Sequence, residues 1–109
     1  MNAEFVKVAN KNDISAGSVK VVSVGDHRIA LCRVEDVFYA VADLCTHDGG
    51  PLGEGELVDH QIECPRHGAR FDIETGKAVC LPAVLAIPTY KVESRGEEIW
   101  VALHAYVKN

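Results

Sequence analysis

Short apolar runs, most of them alternating with polar residues and divided by turn residues, recur along the whole chain. That period of two, with abundant Val, is the signature of half-buried β-strands. It predicts strands at Phe5–Val8, Val19–Val24, Arg28–Val34, Phe38–Val41, Leu57–Val58, Gln61–Glu63, Arg70–Asp72, Thr89–Glu93 and Ile99–Leu103. Gly25-Asp26 reads as the turn of a hairpin between the second and third of these. Thr75-Gly76 and Arg95-Gly96 mark further turns. No stretch of ten or more residues carries a helical stripe, and Asp13–Gly17 makes a turn or a short helical loop at most. The expected class is all-β, an antiparallel sandwich or barrel.

Between Asp43 and Pro88 the texture changes. Gly49, Gly50, Pro51, Gly53, Gly55, Pro65, Gly68, Gly76 and Pro82 crowd this stretch, and its strands are very short. Residues 43–88 are expected to form a small subdomain, built to hold something, inserted in the larger β core of a single domain spanning 1–109.

Composition narrows the function. With 48 % hydrophobic and 25 % charged residues, the 109-residue chain is that of a globular protein that buries one domain-sized core. A formal charge of −5 disfavours nucleic acid, which requires a basic surface, and suits docking on a basic patch of another protein. The longest apolar run, Ala78–Pro88, is too short for a bilayer and contains two prolines, so no membrane is expected. Met1-Asn2-Ala3-Glu4 lacks the basic-then-apolar order of an export signal, which points to the cytoplasm and to reduced thiols. Of the four cysteines, Cys32 and Cys80 are then expected to be small buried apolar side chains.

The other two cysteines sit in two mixed arms, Cys45-Thr46-His47 and Cys64-Pro65-Arg66-His67, with sixteen residues between His47 and Cys64. Each arm offers one thiolate and one imidazole. A binuclear iron–sulfur centre held by two cysteines on one iron and two histidines on the other needs that division. One Cys-x-His alone means little; two mixed arms flanked by Gly and Pro are far more specific. Structural zinc is the chemical competitor, since two Cys and two His also make a tetrahedral site, although the common zinc modules pair cysteine with cysteine and histidine with histidine. After Cys45, His47, Cys64 and His67 are assigned, the scattered His27, His60 and His104 form no two-His-one-carboxylate motif for oxygen chemistry. The Gly53-Glu54-Gly55 repeat lacks the strand-to-helix context of a nucleotide loop. Asp48 reads as a loop residue, Arg66 as a solvated loop charge, and Trp100 as core.

Cys45-Thr46-His47-Asp48-Gly49-Gly50-Pro51-Leu52, then Cys64-Pro65-Arg66-His67-Gly68-Ala69-Arg70-Phe71-Asp72, then Thr75-Gly76, resembles the Rieske pattern. The likeness is densest from Phe38 to Pro88 and looser over the whole length. It implies three antiparallel sheets with one [2Fe-2S] cluster at a tip. It also implies that His47 and His67 bind an outer iron near solvent and Cys45 and Cys64 a buried one, with Leu81-Pro82-Ala83 as a covering loop. Respiratory Rieske proteins add a disulfide between the arms and place a serine and a tyrosine hydroxyl against the cluster. Here the disulfide cysteines are missing, and Ala69 and Phe71 stand at the hydroxyl positions. Loss of those hydrogen bonds lowers the potential, towards roughly −150 mV.

The low-potential members this chain resembles are ferredoxin components of ring-hydroxylating dioxygenases. The resemblance implies a monomeric one-electron carrier and no enzyme activity of its own. Its partners would be an NAD(P)H-dependent flavoprotein ferredoxin reductase and a terminal Rieske non-haem iron oxygenase. Two alternatives stand beside this reading: a small Rieske subunit of a larger reductase such as nitrite reductase, and a zinc-stapled interaction module.

Overall fold

The computed structural model describes residues 5–45, 50–66, 68–81 and 85–103, and the Cys80 side chain lies outside that description. Eleven strands are present among them: β1 Phe5–Asn10, β2 Val19–Val24, β3 His27–Val34, β4 Val37–Ala42, β5 Glu56–Val58, β6 Gln61–Glu63, β7 Arg70–Asp72, β8 Ala78–Cys80, β9 Thr89–Tyr90, β10 Val92–Arg95 and β11 Glu98–Ala102. A 3-10 turn at Lys11–Asp13 answers to the predicted short helical loop, two residues early. The strands form three antiparallel sheets, ordered β1-β11-β10, β2-β3-β4-β9 and β5-β6-β7-β8. The expected all-β class and three-sheet architecture are borne out.

The alternation along β3 explains the layering. Ile29 and Leu31 join one core with Phe38, Ala40, Ile99 and Val101, while Ala30 and Cys32 join another with Val41, Ile62 and Phe71. The β2-β3-β4-β9 sheet is therefore the middle layer, with both faces covered, so Ile29 to Cys32 read as one unbroken apolar run. One core lies between it and the β1-β11-β10 sheet. The other lies between it and the β5–β8 sheet, and Cys45 and Cys64 belong to that second core.

Turns set the registers. Val24 pairs with His27 across Gly25-Asp26, as predicted. Arg95 pairs with Glu98, so that turn is Gly96-Glu97, one residue later than predicted. The β3–β4 turn is stapled by Arg33. Its guanidinium donates to the carbonyls of Glu35 (2.7 Å), Ile14 (2.8 Å) and Lys11 (3.2 Å) and pairs with Asp36 at 3.1 Å.

Three expectations change. Thr89–Glu93 is two strands, because β9 pairs with β4 in the middle sheet and β10 with β11 in the outer one. The chain turns a corner at Lys91, whose carbonyl accepts Ala102 N–H. Ala78–Cys80 is a strand that pairs with β7 across a register irregularity. Trp100 belongs to neither core. Ile99 and Val101 take the inward positions of β11, so Trp100 faces outward under Arg95, whose guanidinium lies 4.2 Å from the ring centre.

Candidate metal centre

The first arm leaves the middle sheet at the end of β4. Ala42 N–H donates to Pro88 O, and Asp43 N–H to Arg28 O, both at 2.9 Å. Cys45 follows, wholly buried, its N–H donating to Gly50 O at 2.8 Å. That bond closes the loop between them at its neck. His47, with Thr46, Asp48 and Gly49, lies outside the described residues.

The second arm is the loop of the β6–β7 hairpin. Glu63 pairs with Arg70 in register, and their side chains meet at 2.9 Å across the base. Beyond that rung Cys64 N–H donates to Ala69 O at 2.7 Å, and Gly68 N–H returns to Cys64 O at 3.1 Å. Gly68 closes this turn at φ +76°, a left-handed conformation that costs a residue with a Cβ about 1–2 kcal/mol. Cys64 is buried; His67 lies outside the described residues.

A third segment returns past both arms. Gly76, at φ +80°, accepts from Ile87 N–H at 2.8 Å, and a Cβ there would run into the Ile87 carbonyl. Leu81 and Leu85 are exposed on either side of Pro82, Ala83 and Val84, which lie outside the described residues.

Cys45 and Cys64 are therefore brought into one apolar core with Leu52, Ile62, Phe71, Ile73 and Ile87, and neither is in a disulfide. Cysteine binds a metal as the thiolate, and the metal's charge offsets the cost of burying two such ligands. The donors fit a metal group entering between the two loops. Cys32 lies in the same core: burial pushes its thiol from 9.0 up to about 12, so it stays protonated and apolar, as predicted. Among the described residues no three Cys, His, Asp or Glu side chains converge on a metal position. His27 packs edge-on against Tyr90, and His60 against Tyr39. No helix among the described residues is long and apolar enough to cross a membrane.

One residue of the site escaped the sequence reading. Asp43 is the sole charged side chain buried among the described residues, and it ties the first arm together. Its only signal in the sequence is an isolated carboxylate closing an apolar strand two residues before Cys45.

Against known proteins, the Rieske [2Fe-2S] domain matches residues 4–91, which include both arms and strands β1 to β9. The chain belongs to the Rieske [2Fe-2S] domain family. The ferredoxin component of the naphthalene 1,2-dioxygenase system of Pseudomonas putida is 37% identical over 103 residues, covering 94% of this chain and 99% of that one. The biphenyl 2,3-dioxygenase ferredoxin component of Rhodococcus jostii is 35% identical over 103 residues, covering 94% and 96%. A chain from the complex of reduced oxygenase and oxidized ferredoxin in carbazole 1,9a-dioxygenase superposes with a TM-score of 0.90. It is 35% identical, and the match covers 98% of this chain and 100% of that one. This Rieske protein carries one [2Fe-2S] cluster and is an electron carrier, not itself an oxygenase.

Proposed function

We propose that the chain is the ferredoxin of a ring-hydroxylating dioxygenase system. Cys45 and Cys64 hold one iron, and His47 and His67 hold the other. Residues 43–88 act as the cluster-binding subdomain of one domain spanning 1–109. When bound, the cluster supplies a one-electron couple. The protein's own contribution is a dry pocket around the two cysteines, with Leu52, Ile62, Phe71 and Ile87 all fully buried there. Ala69 and Phe71, both wholly buried, offer no side-chain hydroxyl, which favours a potential near the low end of the Rieske range, roughly −150 mV.

The observation that carries this reading is the pair of buried cysteines, neither in a disulfide, at the necks of two loops in one core. The dioxygenase ferredoxins it resembles along nearly their whole length favour this role over a subunit of a larger reductase. Four of the five exposed large hydrophobic side chains among the described residues, Leu44, Val79, Leu81 and Leu85, lie within 43–88. Exposed apolar side chains in this part of the chain suit brief docking of a monomer. The partners are an NAD(P)H-dependent flavoprotein reductase upstream and a terminal Rieske non-haem iron oxygenase downstream, in the cytoplasm.

The test is transfer. Protein reduced by NADH and a ferredoxin reductase should be reoxidised in stopped flow by the naphthalene dioxygenase oxygenase component, at a rate that saturates with oxygenase. Reoxidation no faster than by buffer oxygen would refute the proposed role.

A further inference from the structure

Asp43 stands at the junction of the middle sheet and the first arm, and its two oxygens have separate tasks. Oδ1 accepts Leu52 N–H at 2.8 Å and Gly53 N–H at 2.6 Å. Oδ2 accepts the Arg28 guanidinium, from Nη2 at 3.0 Å and Nε at 3.3 Å. The Asp43 side chain is fully buried, whereas that of Arg28 is 62% exposed. A carboxylate is rarely buried without such partners, because ionised oxygens lose their hydration on entering the interior.

Both backbone donors lie on the far side of the first arm. Asp43 precedes Cys45 by two residues, while Leu52 and Gly53 follow Gly50, the residue whose carbonyl closes the neck with Cys45 N–H. The Leu52 side chain is fully buried in the same core as Cys45 and Cys64. Gly53 passes so close to β2 that a Cβ would run into Val21 Cγ2 and lie 3.1 Å from Asp43 Oδ1. The Asp43 side chain thus registers the returning limb of the arm on the middle sheet.

We propose that Asp43 is the positioning residue of the first ligand arm. Its inner oxygen gathers the Leu52 and Gly53 amides and so closes the loop that presents Cys45, while Arg28 only caps the outer oxygen. This rests on the assignment of Cys45 as a cluster ligand. The acceptor atom does the holding, so a neutral amide of the same shape keeps the clamp. Asn offers the same Oδ1, and the exposed Arg28 can swing into water. Ala offers nothing, and leaves two amides without their acceptor.

The test compares Asp43→Ala, Asp43→Asn, Arg28→Ala and Cys45→Ala as holoproteins. Iron release to the chelator ferrozine is timed, and paramagnetic resonance g-values of the reduced protein are recorded. Fluorescence of Trp100, on the outer sheet, reports the fold independently. D43A is expected to release iron at least tenfold faster than wild type, with shifted g-values and unchanged Trp100 emission. D43N and R28A should stay within threefold of wild type, with its g-values. Wild-type release by D43A, or D43N as leaky as D43A, would overturn the proposal. If D43A fails to fold, the D43N rate decides alone, and a tenfold increase there overturns it. A C45A protein that keeps a wild-type signal would instead strike at the ligand assignment.

Discussion

Raising the pH should loosen the folded protein through Cys32, a residue that carries no ligand duty. Its thiol is fully buried, with Ala30 O 3.7 Å away as a weak acceptor. Burial moves its ionisation from 9.0 to about 12. An acid whose folded value is raised contributes stability that is complete below the unfolded value. That stability is lost as pH rises above 9.0, because the unfolded thiol ionises while the folded one cannot. The loss runs at about 1.4 kcal/mol per pH unit until the folded value is reached. Between pH 8 and pH 10 it amounts to about 1.4 kcal/mol, a sizeable share of the 5–15 kcal/mol that holds a typical domain. With a urea slope of about 1–3 kcal/mol/M, the midpoint falls by roughly 0.5–1.4 M. The assay is urea unfolding of wild type and Cys32→Ala at both pH values. Other groups, the cluster ligands included, contribute equally to the two proteins and cancel in the comparison. The Ala variant forfeits packing at both pH values, yet the gap between the proteins should narrow by about 1.4 kcal/mol at pH 10. A gap that does not change with pH would refute the reasoning.

Further predictions concern other parts of the molecule. Ala69→Ser and Phe71→Tyr each bring a hydroxyl into the buried core around the cysteines. If each bond to cluster sulfur strengthens by about 1–2 kcal/mol on reduction, each variant raises the potential by about 40–90 mV, measured by protein-film voltammetry. An unchanged potential in both would remove the explanation offered for a low value. Arg33→Ala should cost about 2–3 kcal/mol in chemical unfolding, because it strips acceptors at Lys11, Ile14 and Glu35 of one shared donor. A change under 0.5 kcal/mol, the scale of an ordinary surface substitution, would count against that staple. Glu98 accepts from the Trp100 indole at 3.1 Å, and this bond, followed by Lys7, holds its carboxyl below the ordinary 4.5. The contact is complete above pH 4.5 and is lost as pH falls through the lowered folded value. Trp100 emission should titrate below pH 4.5 in wild type and not in Glu98→Gln.

Local pattern reached the elements that local chemistry decides. β2, β6 and β7 fall where the apolar pattern placed them, because each is a short run bounded by turn residues. The corner at Lys91 was not legible. Thr89 to Glu93 alternate as one strand, and only pairing with β4 on one side and β11 on the other divides them. Trp100 reads as core because it sits in a terminal apolar strand, whereas the strand period puts Ile99 and Val101 inward. The two cysteines were legible from mixed spacing, and the structure supplies what spacing cannot: one shared core between two sheets. Asp43 was missed for the same reason. Its partners Arg28, Leu52 and Gly53 are distant in sequence, and a lone carboxylate gains meaning only when they converge.

The central claim, that two mixed arms hold a Rieske cluster, is tested most directly by paramagnetic resonance. The sample is anaerobically purified, dithionite-reduced protein, with iron and zinc quantified together. A low-average-g Rieske signal with about two irons per chain is the predicted result. No signal, with about one zinc per chain, would contradict it and leave a structural zinc module.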